Sequence, residues 1–168
     1  PERVALAEKM GAVNAVARDQ AVEAAAALSS GKGVDAVLIC ADTKSNDPVE
    51  LAGEIARDRA KIVAVGAVGL QVPRKPYYEK ELDLVVSRSY GPGRYDTDFE
   101  EKGQDYPAGY VRWTEKRNMQ AFQELIHSRK MDVSYLTTHT FKLAEARSAY
   151  DMLLAKSEPY IGILIEYD

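Results

Sequence analysis

Val34-Asp35-Ala36-Val37-Leu38-Ile39-Cys40 is the stretch on which the fold turns. It is apolar apart from Asp35 and rich in branched side chains. A short run of this kind reads as a buried strand of a parallel sheet, with helices over both faces. Downstream, Asp47-Pro48-Val49-Glu50 reads as a helix start. Asp47 is the cap, Pro48 takes the first turn, and Glu50 reaches back as in a capping box. Leu51 and Ile55 give this helix its core face. Lys61 to Val65 is a second strand, closed by Gly66. Leu82 to Ser87 is a third, after a short connection through Pro73 and Pro76. Upstream, residues 1–10 read as a helix stopped by Gly11. A short apolar strand follows from Val13 to Val16, then a helix capped by Asp19 and ending at Gly31. Strand and helix thus alternate to about residue 90, which predicts βαβ units and a mostly parallel sheet. The crossover rule then places helices on both faces.

The character changes at Tyr90. Gly91-Pro92-Gly93 breaks the chain, and a polar, aromatic segment carries Tyr95, Phe99, Tyr106 and Tyr110. Thr114 is positioned to cap a long helix with Met119, Phe122 and Ile126 on one face. Val133 to Phe141 reads as extended. Ala146, Tyr150 and Leu153 mark another helix face, and Ile161 to Ile165 is a last strand. The expected class is therefore α/β, with two parts. Residues 1–90 form a partial Rossmann-type doubly wound parallel sheet, and 91–168 an α+β segment.

Composition narrows the function classes. The 168 residues carry a formal net charge of -4 and no long block of like charge, so no basic face recommends nucleic acid or an anionic membrane. No apolar stretch nears the roughly 20 residues of a membrane helix, and no secretory leader opens the chain. Cys40 is the lone cysteine, read as a buried small hydrophobe, and a reducing, cytoplasmic setting is expected. His127 and His139 fall on different elements, so no metal site is expected within the chain; a catalytic zinc needs about three protein ligands. Gly31-Lys32-Gly33 lacks the rest of a phosphate loop. The chain opens on Pro1-Glu2-Arg3 rather than Met, and it is expected to be a piece of a larger gene product.

The order of these elements resembles the medium-chain dehydrogenase family of alcohol, threonine and polyol dehydrogenases. Pro1-Glu2-Arg3-Val4 with Ala7-Glu8-Lys9-Met10-Gly11-Ala12 looks like the helix that follows the second strand of that family's cofactor domain. Strand 1, the Gly-x-Gly-x-x-Gly turn and the ribose-binding acid would then lie upstream, with the glycine turn about 30 to 50 residues before Pro1. Ser89-Tyr90-Gly91-Pro92-Gly93-Arg94-Tyr95 and Asp105 to Glu115 resemble bi-domain oxidoreductases, in which a second oxidoreductase domain follows downstream. The second half is then the segment that returns to the catalytic domain.

The resemblance implies NAD or NADP as cofactor and an alcohol, polyol or sugar-derived substrate. It implies that Val65, Gly66 and Ala67 line the nicotinamide site. Read alone, Gly66 is an ordinary turn glycine. Ala41, Asp42 and Thr43 lie on the adenosine side by the same resemblance, or they merely start the next turn. Arg3 would sit near the ribose, or it is a solvated arginine. Ser87 and Arg88 would lie near the nicotinamide. No catalytic residue is assigned, and the resemblance leaves room for a zinc only through residues outside this chain. The segment with Arg112 and Trp113 is either a sugar pocket or, as aromatics more often are, a packing contact. With strands 1 and 2 upstream, strand 13–16 would be cut off from its sheet and the edge of strand 34–40 left unpaired. Homo-oligomers through the sheet edges are expected. The chain alone is expected to be inactive. The alternative is a non-catalytic Rossmann-like scaffold or interaction module within a larger protein.

Overall fold

Chain direction and crossover handedness decide how the first unit is layered. The structure is a computed structural model and describes residues 2–167. It divides into two compact units, up to Gly91 and from Pro92. In the first, β1 (Val34–Ile39), β2 (Ala56–Ala64) and β3 (Asp83–Val86) form a parallel sheet in the order β1-β2-β3. Helix α3 (Asp47–Ile55) links β1 to β2, and α4 (Arg74–Glu79) links β2 to β3. The connection through Pro73 and Pro76 is therefore a short helix rather than a plain loop.

The strands advance in one direction across the sheet. Right-handed crossovers then put both linking helices on the same face. The register shows which face it is. Val37, Ile62 and Leu84 form one row, and Leu38, Val63 and Val85 form the next row on the opposite face. The first row packs under α3 and α4 in a core of Ile39, Val49, Ala52, Ala56, Ala60, Ile62 and Tyr77. The second row is open, with Leu38 66% and Val85 47% exposed. The expected covering of both faces is thus corrected. Helices on the second face require the strand order to reverse, and no reversal occurs within these three strands.

Local chemistry explains the helix ends. α1 (Glu2–Lys9) stops at Gly11, which takes a φ of +94° while the Gly11 and Ala12 N–H groups donate to the Glu8 and Ala7 carbonyls. The expected strand at Val13–Val16 does not form, and Val13 is 89% exposed. A strand without a neighbour has no partner for its backbone groups. α2 (Ala21–Leu28) follows a short 3-10 turn at Arg18–Gln20. Asp19 lies inside that turn and is not a cap, because the chain already winds there and a cap needs an extended residue. Asp47 is likewise the first residue of α3 rather than its cap, and the capping box is absent. Its carboxylate is drawn to Arg18 instead. The buried face of α3 is Val49, Ala52 and Gly53, with Leu51 and Ile55 only half-buried.

Two side chains lock α3 in place. The Tyr77 hydroxyl donates to the Val49 carbonyl at 3.0 Å, and burial pushes its phenol pKa up. Lys80 Nζ donates to the carbonyls of Gly53, Glu54 and Ala56 at 2.8–2.9 Å, closing the carboxyl end of the helix with a cation.

In the second unit, Thr114 is fully buried and caps α6 (Glu115–His127) through the Arg117 N–H, as its sequence position predicts. A one-turn helix α5 (Thr97–Glu100) is capped by Asp96. The Tyr106 hydroxyl also bonds Asp96 and holds that carboxyl below the usual range. Phe99 and Tyr106 stack at 5.7 Å, and Gly93 is the residue that lets the Phe99 ring in. Arg117 donates to the Val111 and Tyr106 carbonyls and pairs with Asp105 at 3.0 Å. The aromatic segment is therefore held by its own polar ties. Strands β4 (Thr137–Lys142) and β5 (Gly162–Glu166) pair in parallel, joined through α7 (Ala146–Ala155). The buried face of α7 is Ala149 and Met152, whereas Tyr150 is exposed. No residue of α6 is buried, so Met119, Phe122 and Ile126 form an open stripe.

Candidate functional site

Parallel strands in register end together, and ligands in open α/β sheets bind beyond those ends. Ile39, Ala64 and Val86 are mutual register partners at the carboxyl ends of β1, β2 and β3. The segments leaving them contain Ala41, Asp42 and Thr43, then Val65, Gly66 and Ala67, then Ser87 and Arg88. The structure thus brings eight of the nine candidate residues to one rim. Arg3 is the exception: it is exposed on α1 and is not part of the rim. Cys40, expected to be buried, is exposed. It is the first residue past the end of β1.

The first two loops are stitched to each other. Val65 and Gly66 N–H both donate to the Ile39 carbonyl, at 2.9 and 2.8 Å. Thr43 N–H donates to Ala67 (2.8 Å) and Gly69 N–H to Ser45 (3.0 Å). The Asn46 amide exchanges two bonds with the Gln71 backbone, at 2.7 and 2.9 Å. Ser87 N–H completes the rim by donating to Ala64 at 2.9 Å. Gly66 earns its place by close approach. A Cβ there would lie 2.0 Å from the Ala41 carbonyl oxygen. The glycine admits the chain's own backbone, so the reason is packing between loops before it is room for a ring.

Those bonds also show what remains free. Among the described residues the Val65 and Gly66 carbonyls and the Ala67 N–H have no protein partner, whereas the Val65 and Gly66 N–H groups are spent. Beside the rim a cleft of about 450 Å³ opens between β1 and α3. Cys40, Ala41, Thr43, Leu38 and Leu51 line it, with the Arg18–Asp47 pair at its edge. That pair is a two-bond fork at 2.6 and 2.7 Å, and it holds the Asp47 carboxyl below the usual range and raises Arg18. Sequence reading missed Arg18 and the role of Asn46. Their partners are 29 and 25 residues away, and no local pattern announces them. Among the described residues no three His, Cys, Asp or Glu side chains converge as a metal site, and no helix is long and apolar enough to cross a membrane.

No protein-family model and no curated protein sequence matches this chain. Solved structures do. The alcohol dehydrogenase TADH from Thermus sp. ATN1 is 18% identical, with a TM-score of 0.71 over 100% of this chain and 42% of that one. An Escherichia coli oxidoreductase/dehydrogenase of unknown specificity, described as involved in membrane biogenesis, is 18% identical, with a TM-score of 0.71 over 99% and 41%. The mycobacterial protein Rv1454c, solved with NADPH, is 16% identical, with a TM-score of 0.62 over 98% and 46%. The chain has the fold of part of each of these structures. The chain spans less than half the length of each of these structures.

Proposed function

We propose that the chain is the later half of a nicotinamide-dependent dehydrogenase acting on an alcohol, polyol or sugar-derived substrate. The observation that carries this reading is the rim, where the Ala67 N–H and the Val65 and Gly66 carbonyls stand unpaired at the strand ends. A carboxamide offers one acceptor oxygen and two N–H donors. Ala67 N–H would donate to the carbonyl of a nicotinamide carboxamide, and the Val65 or Gly66 carbonyl would accept from its NH₂. NAD or NADP, when bound, would supply the hydride chemistry. Ala41, Asp42 and Thr43 would border the adenosine side, and Ser87 and Arg88 the nicotinamide side. Residues 1–90 belong on this reading to the cofactor domain, and 91–168 to the catalytic domain.

The reading also holds that this chain does not turn over substrate alone, because the glycine-rich phosphate turn would lie outside it. A zinc would have to come from residues outside it. Copies of the chain would associate through the outer edges of β1 and β3, which pair with no other strand among the described residues. The test is a fluorescence titration with NADH and NADPH of this chain and of the gene product carrying the sequence before Pro1. The longer protein should bind at micromolar concentration, oxidise alcohols or polyols with NAD or NADP, and carry Gly-x-Gly-x-x-Gly upstream. A longer product that has no such turn and binds neither nucleotide would leave the scaffold reading in its place.

A further inference from the structure

The ladder between β4 and β5 is irregular at one residue. Thr137 pairs with Gly162 and His139 with Ile163, so Thr138 is the extra residue of a bulge. Bulges re-aim side chains. Neighbours in a regular strand point to opposite faces. Here Thr138 Oγ1 instead lies 2.9 Å from His139 Nδ1. A hydroxyl has one proton and two lone pairs. Its proton goes to the Gly162 carbonyl at 3.0 Å, and one lone pair receives the Ile161 N–H at 3.1 Å. With the proton there, the hydroxyl accepts from His139 and Nδ1 carries a hydrogen, the one arrangement that satisfies all three of its partners. The other ring nitrogen, Nε2, lies 3.4 Å from Glu158 Oε2. A neutral ring with its hydrogen on Nδ1 would present a lone pair to that carboxylate. Protonation of Nε2 turns the same contact into a charge-assisted hydrogen bond.

We propose that His139 is a proton-operated clasp on the connection between α7 and β5. With both ring nitrogens protonated it holds Glu158, and with it residues 157–160; with one proton it lets go. The ring is the fixed part, 20% exposed and stacked on Phe141, and the carboxylate is the moving part, 63% exposed. From α7 the buried side chains are Ala149 and Met152, while its charged Arg147 and Asp151 are exposed and face each other at 3.9 Å. From β5, Glu166 is occupied by Lys142 at the far end of the two strands. Glu158 is thus the carboxylate that reads the ring.

The chain has two histidines, and His127, exposed on α6, is an internal reference. Long-range proton–nitrogen spectra of the 168-residue chain from about pH 5 to 8, where histidines ordinarily change charge, report each ring's protonation. The expected neutral form of His139 carries its hydrogen on Nδ1. Amide exchange at Ser157, Glu158 and Tyr160, corrected for its intrinsic pH dependence, should be roughly two- to fivefold slower at the acid end, the size an exposed ion pair supports. Glu158→Gln should remove that difference and leave the Nδ1 hydrogen in place. A neutral ring protonated on Nε2 overturns the proposal. So does loop protection that is independent of pH in the unsubstituted chain, or equally pH-dependent in Glu158→Gln.

Discussion

Replacing Gly66 with alanine tests the rim most directly. The added methyl would stand 2.0 Å from the Ala41 carbonyl oxygen and 2.8 and 2.9 Å from the Ala41 and Cys40 carbonyl carbons. An unstrained carbon–oxygen contact needs about 3.3 Å, so the two loops must part by roughly 1.3 Å. All three neighbours are backbone atoms, and no side chain can swing aside to relieve the overlap. At that separation the 2.8 Å bond from Thr43 to Ala67 is gone, and the bonds from Gly66 to Ile39 and from Gly69 to Ser45 are stretched or lost. Each is worth about 1 kcal/mol net, so the change costs about 2–3 kcal/mol. For a chain of this size that lowers the melting temperature by about 4–12 °C. Circular dichroism melts would measure it, with Gly109→Ala as control, since nothing lies within 4 Å of a Cβ there. A Gly66→Ala protein melting within about 1 °C of the parent would refute the close-approach argument.

Lys80→Met keeps the stem but removes the cation from three carbonyls; unfolding in urea should show a loss of about 2–3 kcal/mol, as for hydrogen bonds to a charged group. Gly53→Ala gains about 1 kcal/mol of helix propensity, yet its methyl would meet the Tyr77 ring at 2.8 Å, a ring tied by its hydroxyl. The net change should be a lower melting temperature, and a rise would show that Tyr77 yields. The Asp47 carboxyl is lowered by Arg18, so its contribution is complete above the unfolded value near pH 4 and fades as pH falls through the lowered folded value. Arg18→Ala should flatten the acid limb of stability measured from pH 2 to 6, and an unchanged limb would show that the pair is not formed in solution.

The three strands were legible because branched apolar runs bounded by Gly and Pro leave few alternatives. The parallel pairing of the first two followed from the helix read between them, whereas the helix before the third, Arg74–Glu79, was read only as a short connection. The coverage of the sheet was not legible, since it depends on strand order, which hydrophobicity does not encode. Val13 to Val16 has the composition of a strand and lacks a neighbour, so composition alone misled. Asp19 and Asp47 carry the right residue type for caps, but Asp19 lies inside a turn that already winds and Asp47 is claimed by a partner 29 residues away. At the rim, the loop segments were readable from strand ends. The stitches between them were not, because Asn46 and Gln71 meet only in three dimensions.

The stitching also limits how this edge can be rebuilt. Asn46, Thr43 and Ser45 on one loop fit Gln71, Ala67 and Gly69 on the other as matched parts. A loop transplanted from another protein of this fold into residues 40–46 would arrive without its mate. Grafts here must exchange 40–46 and 65–71 together, so the unit of engineering is the pair.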